Sequence, residues 1–129
     1  MARTDRYRIV YIEDDQDMVD LVSMILDAER FDLVGAADGN QGLALMHESR
    51  PDLLLLDLML PDMGGWAVYQ QMKDDASLST IPVIVITAQN TPIDRLLGEH
   101  IAKVTVYLTK PFSPSELRAA VGSVLSTTT

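Results

Sequence analysis

The sequence predicts an α/β domain, a parallel sheet of five strands with helices on both faces. Three observations lead there. Apolar runs of strand length alternate with stretches of helical spacing along the whole chain. The middle run, Leu53 to Leu56, is apolar at consecutive positions, as a strand covered on both faces must be. Turn signals such as Asp38-Gly39, Arg50-Pro51 and Gly64-Gly65 fall between the runs and not within them. Strict alternation implies parallel pairing through right-handed crossovers, which places helices on both sides of the sheet. Periodicity alone leaves the strand order open.

The first strand, Arg8 to Ile12, ends in Glu13, Asp14 and Asp15. Met18, Val19, Leu21, Val22, Ile25 and Leu26 then recur at helical spacing, which predicts a first helix from about Gln16 to Glu29. Phe31 to Ala36 reads as a short second strand, and Leu43 and Met46 mark a second helix running toward Ser49. The leucine strand follows, with Asp57 ending the run before Leu58. After the Pro61–Gly65 loop, the spacing of Trp66, Tyr69 and Met72 predicts a third helix. Ile81 to Thr87 is a fourth strand rich in β-branched residues. A weaker helical pattern runs from Ile93 to Ile101, and Val104 to Leu108 is the fifth strand. Ser113, Pro114 and Glu116 form a capping box that opens the last helix, whose apolar stripe is Leu117, Val121, Val124 and Leu125.

At 129 residues, with 47% hydrophobic and 22% charged, the chain (1–129) is expected to be one globular domain. No apolar run approaches membrane-spanning length and no charged-then-apolar leader opens the chain, so a cytoplasmic protein without membrane contact is expected. The absence of cysteine excludes disulfides, thiolate zinc sites and cysteine nucleophiles. A net charge of −9, from 19 acidic and 10 basic residues, argues for no direct nucleic-acid binding. A GxxxxGK loop and a GxGxxG after the first strand are both absent, and acidic residues fill the loop after Ile12 where an FMN site would need hydroxyls and glycines.

The polar residues gather at the carboxyl ends of the strands. Glu13 and Asp14 follow the first, Asp57 the third, Thr87 closes the fourth, and Lys110 comes after the fifth. In a parallel sheet these ends share one edge, where open α/β sheets bind ligands. Three carboxylates facing one ammonium leave negative charge unbalanced, and a hard divalent ion such as Mg2+ suits carboxylates, water and a phosphoryl oxygen. Beside it Asp57 is a competent nucleophile toward phosphorus, with Thr87 and Lys110 placed for the phosphoryl oxygens.

The set Glu13-Asp14, Asp57, Thr87-Ala88 and Lys110-Pro111-Phe112 resembles the receiver domain of two-component response regulators, of the chemotaxis-regulator kind, from Arg8 to about Leu125. The resemblance implies a flavodoxin-like fold, a three-layer sandwich with strand order 2-1-3-4-5. It implies that Asp57 accepts a phosphoryl group from a histidine kinase or phosphotransfer protein, and that the domain is a switch and not an enzyme. Asp14 would ligate Mg2+ directly, Glu13 through water, and Met59 through its backbone carbonyl. Thr87 would be the switch hydroxyl, Lys110 the phosphate-pairing cation, and Tyr107 the aromatic that turns inward. A protein effector would then read the face of the fourth helix, fifth strand and last helix.

The chain departs from the family pattern in places. Gly64 replaces an acidic residue, which should loosen the loop after Asp57. Thr105-Val106 replaces an acidic pair, Arg118 is displaced from a dimer-pairing position, and Gln89 to Lys103 lacks the usual alanine- and glycine-rich end. Simpler roles fit several residues: Asp15 caps the first helix, and Trp66, Met18, Met46 and Met72 pack. His47 and His100 read as surface, and Asp74-Asp75 as a solvated helix end. The chain stops shortly after the last helix, so a stand-alone receiver is expected. Two other functions remain: a metal-dependent phosphatase with Asp57 as turnover nucleophile, which Met59 cannot assist as an acid, and a receiver-like scaffold acting without phosphate.

Overall fold

Five strands form one parallel sheet in the order β2-β1-β3-β4-β5, with β1 spanning Tyr7–Ile12, β2 Phe31–Ala36, β3 Leu53–Leu56, β4 Val83–Thr87 and β5 Val106–Thr109. This computed structural model describes residues 6–88, 91, 92, 96 and 106–125. Among these, four helices cover the sheet: α1 (Gln16–Ile25), α2 (Gly39–Ser49), α3 (Gly65–Lys73) and α4 (Pro114–Leu125). The helix expected from Ile93 to Ile101 lies outside the described residues except for Leu96, which is helical.

Alternation along the strands splits the core into two layers. Ile9, Tyr11, Leu53, Leu55, Ile84 and Ile86 pack with Val19, Val22, Leu117 and Val121 of α1 and α4. Val10, Ile12, Leu54, Leu56, Val83 and Val85 pack with Met46, Val68 and Met72 of α2 and α3. All four leucines of β3 are fully buried, as a central strand requires. Truncating any one of them to alanine should cost about 2–5 kcal/mol. The helices lie close: a Cβ on Gly42 would come within 2.3 Å of Ile12 Cδ1, so α2 sits on β1 only because that side chain is absent.

Local chemistry explains the element ends. Asp15 caps α1 by accepting from the Asp17 N–H at 3.0 Å, the role expected of it. α1 stops at Ile25, short of the expected Glu29, because Asp27 starts a turn: its side chain accepts from the Glu29 N–H, and its carbonyl from those of Arg30 and Phe31. The capping box of α4 forms in both directions, with Ser113 N–H donating to Glu116 Oε1 at 2.7 Å and Glu116 N–H to Ser113 Oγ at 3.1 Å. β4 begins at Val83, after Pro82 has lent only its carbonyl to the Leu54 N–H. β5 extends one residue past the expected Leu108, to Thr109, while Val104 and Thr105 lie outside the described residues.

Candidate functional site

Each residue at the carboxyl rim is fixed first by its backbone. The Glu13 N–H donates to Ala36 O at 2.9 Å, the Asp57 N–H to Ile12 O at 3.1 Å, and the Lys110 N–H to Thr87 O at 2.9 Å. These bonds extend the sheet ladder one step past the strands, so the site residues inherit the rigidity of the sheet. The Lys110–Pro111 peptide is cis.

The side chains then converge. Glu13, Asp14 and Asp57 each offer a carboxylate oxygen within 4.8 Å of the others. Lys110 Nζ lies 2.5 Å from Glu13 Oε1 and 3.1 Å from Asp57 Oδ2. The second oxygen of Asp57 accepts from the Met59 N–H at 3.0 Å, and Glu13 Oε2 accepts from the Asp15 N–H at 3.1 Å. Glu13 and Asp57 are buried, whereas Asp14 is exposed. Thr87 is buried on the same rim, and Tyr107 is half-buried in β5 beside the layer covered by α2 and α3.

The charges are unequal. Burial pushes the Glu13 carboxyl up from 4.5 to about 7; Lys110 and the Asp15 N–H pull it back, and Asp57 raises it further. Burial works against the Lys110 ammonium, yet its bonds to Glu13 and Asp57 hold it above its ordinary value. Among the described residues, one ammonium among three carboxylates therefore leaves a buried acid straining toward protonation. The donor set is hard oxygen throughout, and a small divalent cation fits it.

Sequence reasoning brought Glu13, Asp14, Asp57 and Lys110 together correctly and missed two neighbours. Tyr11 donates its hydroxyl to Glu13 Oε1 at 3.3 Å, and burial raises its pKa above the usual tyrosine value. Its position two before Glu13 puts both side chains on one face, which was the available signal. Asp62 accepts from the Gly39 and Asn40 N–H groups at 2.8 and 2.9 Å, tying the loop after Asp57 to the start of α2 and holding its own carboxyl low. That loop is also closed by a bridge between Met59 and Gly64 and by Gly65 N–H donating to Leu58 O at 2.9 Å, where Gly64 was expected to loosen it. His47 is exposed as expected but has a partner, Asp75, at 3.0 Å.

A family model described as the response regulator receiver domain matches residues 9–122. The chain belongs to that family. Response regulators of the two-component type signal through phosphorylation of this domain, and they are signalling proteins and not classical enzymes. The receiver is similar to the DNA-binding response regulator MtrA of Mycobacterium tuberculosis, 39% identical over 118 residues, covering 92% of this chain and 50% of that protein. The DNA-binding dual master transcriptional regulator RpaA of Synechocystis is 40% identical over 121 residues, covering 94% and 50%. The chain thus spans about half the length of the curated relatives it matches.

Among solved structures, the receiver resembles the phosphorylated cyanobacterial phytochrome response regulator RcpA, with a TM-score of 0.80 and 28% identity over 96% of this chain and 97% of that one. Its fold is shared with the chemotaxis response regulator CheY4 of Vibrio cholerae, with a TM-score of 0.83 and 24% identity over 92% and 98%. The flavodoxin-like fold and its 2-1-3-4-5 order stand as expected.

One expectation is overturned. The charge of −9 argued against direct nucleic-acid binding and the receiver resemblance implied a protein effector, yet MtrA and RpaA are named as DNA-binding regulators. The physical reason is scope: the matched stretch is half of each relative, so the acidity of a receiver describes the receiver alone. No helix among the described residues is long and apolar enough to cross a membrane.

Proposed function

We propose that this receiver, with its core between about residues 8 and 125, is a Mg2+-dependent switch that accepts a phosphoryl group on Asp57 from a histidine kinase or phosphotransfer protein in the cytoplasm. The observation that carries the reading is the Lys110 ammonium shared between buried Glu13 and Asp57 inside a cluster of three carboxylates. Mg2+ bound by Asp14, Asp57 and the Met59 carbonyl, with Glu13 acting through water, would neutralise the charge that builds on the phosphoryl oxygens.

The chain's own residues do the rest. An Asp57 carboxylate oxygen attacks phosphorus as the P–N bond to the donor histidine breaks, and the imidazole leaves with the bonding electrons. The Met59 N–H holds one Asp57 oxygen, which limits rotation of the carboxylate before attack. Lys110 then exchanges a carboxylate for a phosphoryl oxygen. Thr87, on the same rim, supplies a hydroxyl whose gain of a phosphoryl partner draws its loop inward, and Tyr107 turns with it. Slow hydrolysis of the acyl phosphate resets the switch.

By similarity to MtrA and RpaA, the output is transcriptional, through DNA bound by the regulator to which the receiver belongs. Incubation with Mg2+ and acetyl phosphate should label the wild type, detected as intact-protein mass. Asp57→Asn should stay unlabelled; full labelling of that variant would refute the assignment.

A further inference from the structure

We infer that Tyr11 is a positioning residue for the cation site, acting through Glu13. The inference rests on the reading that the acidic rim takes Mg2+. Tyr11 is fully buried in β1 and faces the α1 and α4 layer. The buried strand residues on that side of the sheet, Ile9, Leu53, Leu55, Ile84 and Ile86, are aliphatic, with the partly buried aromatics Tyr7, Phe31 and Phe112 packed against the same layer. Packing here therefore asks for an apolar side chain and gives no reason for a hydroxyl. The hydroxyl instead reaches the rim, where it donates to Glu13 Oε1 at 3.3 Å. A buried tyrosine hydroxyl takes up such a partner because leaving it unpaired is costly.

Glu13 has two kinds of support. Lys110 contributes one bond but is shared with Asp57 at 3.1 Å. Tyr11 on Oε1 and the Asp15 N–H on Oε2, at 3.1 Å, come from the strand end itself and are shared with nothing else described at the site. When Lys110 turns to a phosphoryl oxygen, Tyr11 remains as the side-chain donor on Oε1. It thereby keeps the carboxylate oriented toward the cation while its main counter-charge is engaged elsewhere. Partners of this outer kind change metal affinity by about 10–100-fold when they orient a direct ligand. A long bond to a carboxylate acting through water belongs near the foot of that scale, at about three- to tenfold.

The test is a calorimetric Mg2+ titration of the 129-residue chain as wild type, Tyr11→Phe, Glu13→Ala and the double variant. Tyr11→Phe keeps the ring and should bind Mg2+ about three- to tenfold more weakly. Tyr11→Ile, which copies the aliphatic neighbours, should show the same loss if the hydroxyl is what matters. In the Glu13→Ala background, Tyr11→Phe should change nothing, because the effect passes through that carboxylate. Unchanged or tighter binding by Tyr11→Phe overturns the inference, and so does an equal loss in both backgrounds, which would mark a packing effect. A wild type that binds no Mg2+ overturns the functional reading and this inference with it, which is a different result from a wild type that binds and a variant that matches it.

Discussion

Replacing Lys110 with methionine should destabilise the Mg2+-free protein by an amount that grows with pH. The side chain of Glu13 is 2% exposed and that of Asp57 6%, and Lys110 is their shared counter-charge. Removing one partner from a buried ionic group costs about 3–5 kcal/mol when the remaining charge cannot escape. Here it can, because the Glu13 carboxyl already stands at about 7 with the lysine in place and rises further without it. Below neutral pH the variant keeps a proton on Glu13 and the loss should be about 1 kcal/mol. Each pH unit above that adds up to about 1.4 kcal/mol, so by about pH 8.5 the loss should approach 3 kcal/mol. For a chain of this length that is on the order of 10 °C in melting temperature. Thermal denaturation followed by circular dichroism in EDTA, at about pH 6 and about pH 8.5, measures both ends. Millimolar Mg2+ should restore more stability to the variant than it adds to the wild type, since the ion substitutes for the missing charge. A loss equal at both pH values, or none at the higher one, would refute the assignment of Lys110 as the counter-charge of buried carboxylates.

Other outcomes follow from the same geometry. Because the folded-state pKa of Glu13 is raised from 4.5 to about 7, its contribution is fully present below the unfolded value and lost as pH rises through about 7. In EDTA, the wild type measured against Glu13→Gln should therefore weaken between about pH 5 and pH 8, by at most about 3 kcal/mol, and a flat difference would contradict the shift. Asp57→Asn should raise the melting temperature in EDTA, by about 1 kcal/mol of stability, while abolishing phosphoryl labelling. Gly65→Ala should destabilise by at least about 2 kcal/mol. Its new Cβ would meet Asp57 O at 2.5 Å and Leu58 Cα at 2.6 Å, backbone atoms that move only with the loop. Weaker Mg2+ binding by that variant, measured calorimetrically, should accompany the loss.

What could be read from the sequence was what local chemistry decides. The leucine run of β3, the capping box before α4 and the Asp15 cap each depend on residues a few positions apart, and each stands in the structure. The rim was legible because parallel strands carry their ends to one edge, so order along the chain becomes proximity. The end of α1 was misjudged because apolar spacing continues through Leu26, whereas the side chain of Asp27 offers the backbone a turn in place of another helical bond. Tyr11 was hidden inside an apolar run, where an aromatic ring reads as packing, and only its place two residues before Glu13, on the same face, hinted at the contact. Asp62 and Gly65 act across the fold, on the α2 start and on the Asp57 backbone, and no spacing within the loop announces either contact. The charge of −9 misled about nucleic acid because it describes a receiver, whereas the relatives named as DNA-binding are about twice as long as the stretch they share with it.

The electrostatic discomfort of the rim connects stability to signalling. Two buried carboxylates and an exposed one, served among the described residues by a single ammonium, make the cation-free rim less stable than the core would allow. The two apolar layers on either side of the sheet, and ladder bonds from Glu13, Asp57 and Lys110, hold the charges in place in spite of that cost. A ligand that binds only the folded rim stabilises it by about 2.7 kcal/mol at a hundred times its dissociation constant. On the proposed reading, a phosphoryl group on Asp57 would add negative charge to the same place and make the cation and Lys110 more tightly needed. Lys110, which now bonds Glu13 and Asp57, would not serve a phosphoryl oxygen equally as well, and its choice among the three would change which side chains at the rim are held. Receivers can therefore report a covalent event through rearranged charge without any change in the sheet, provided the carboxylates stay oriented while the lysine moves.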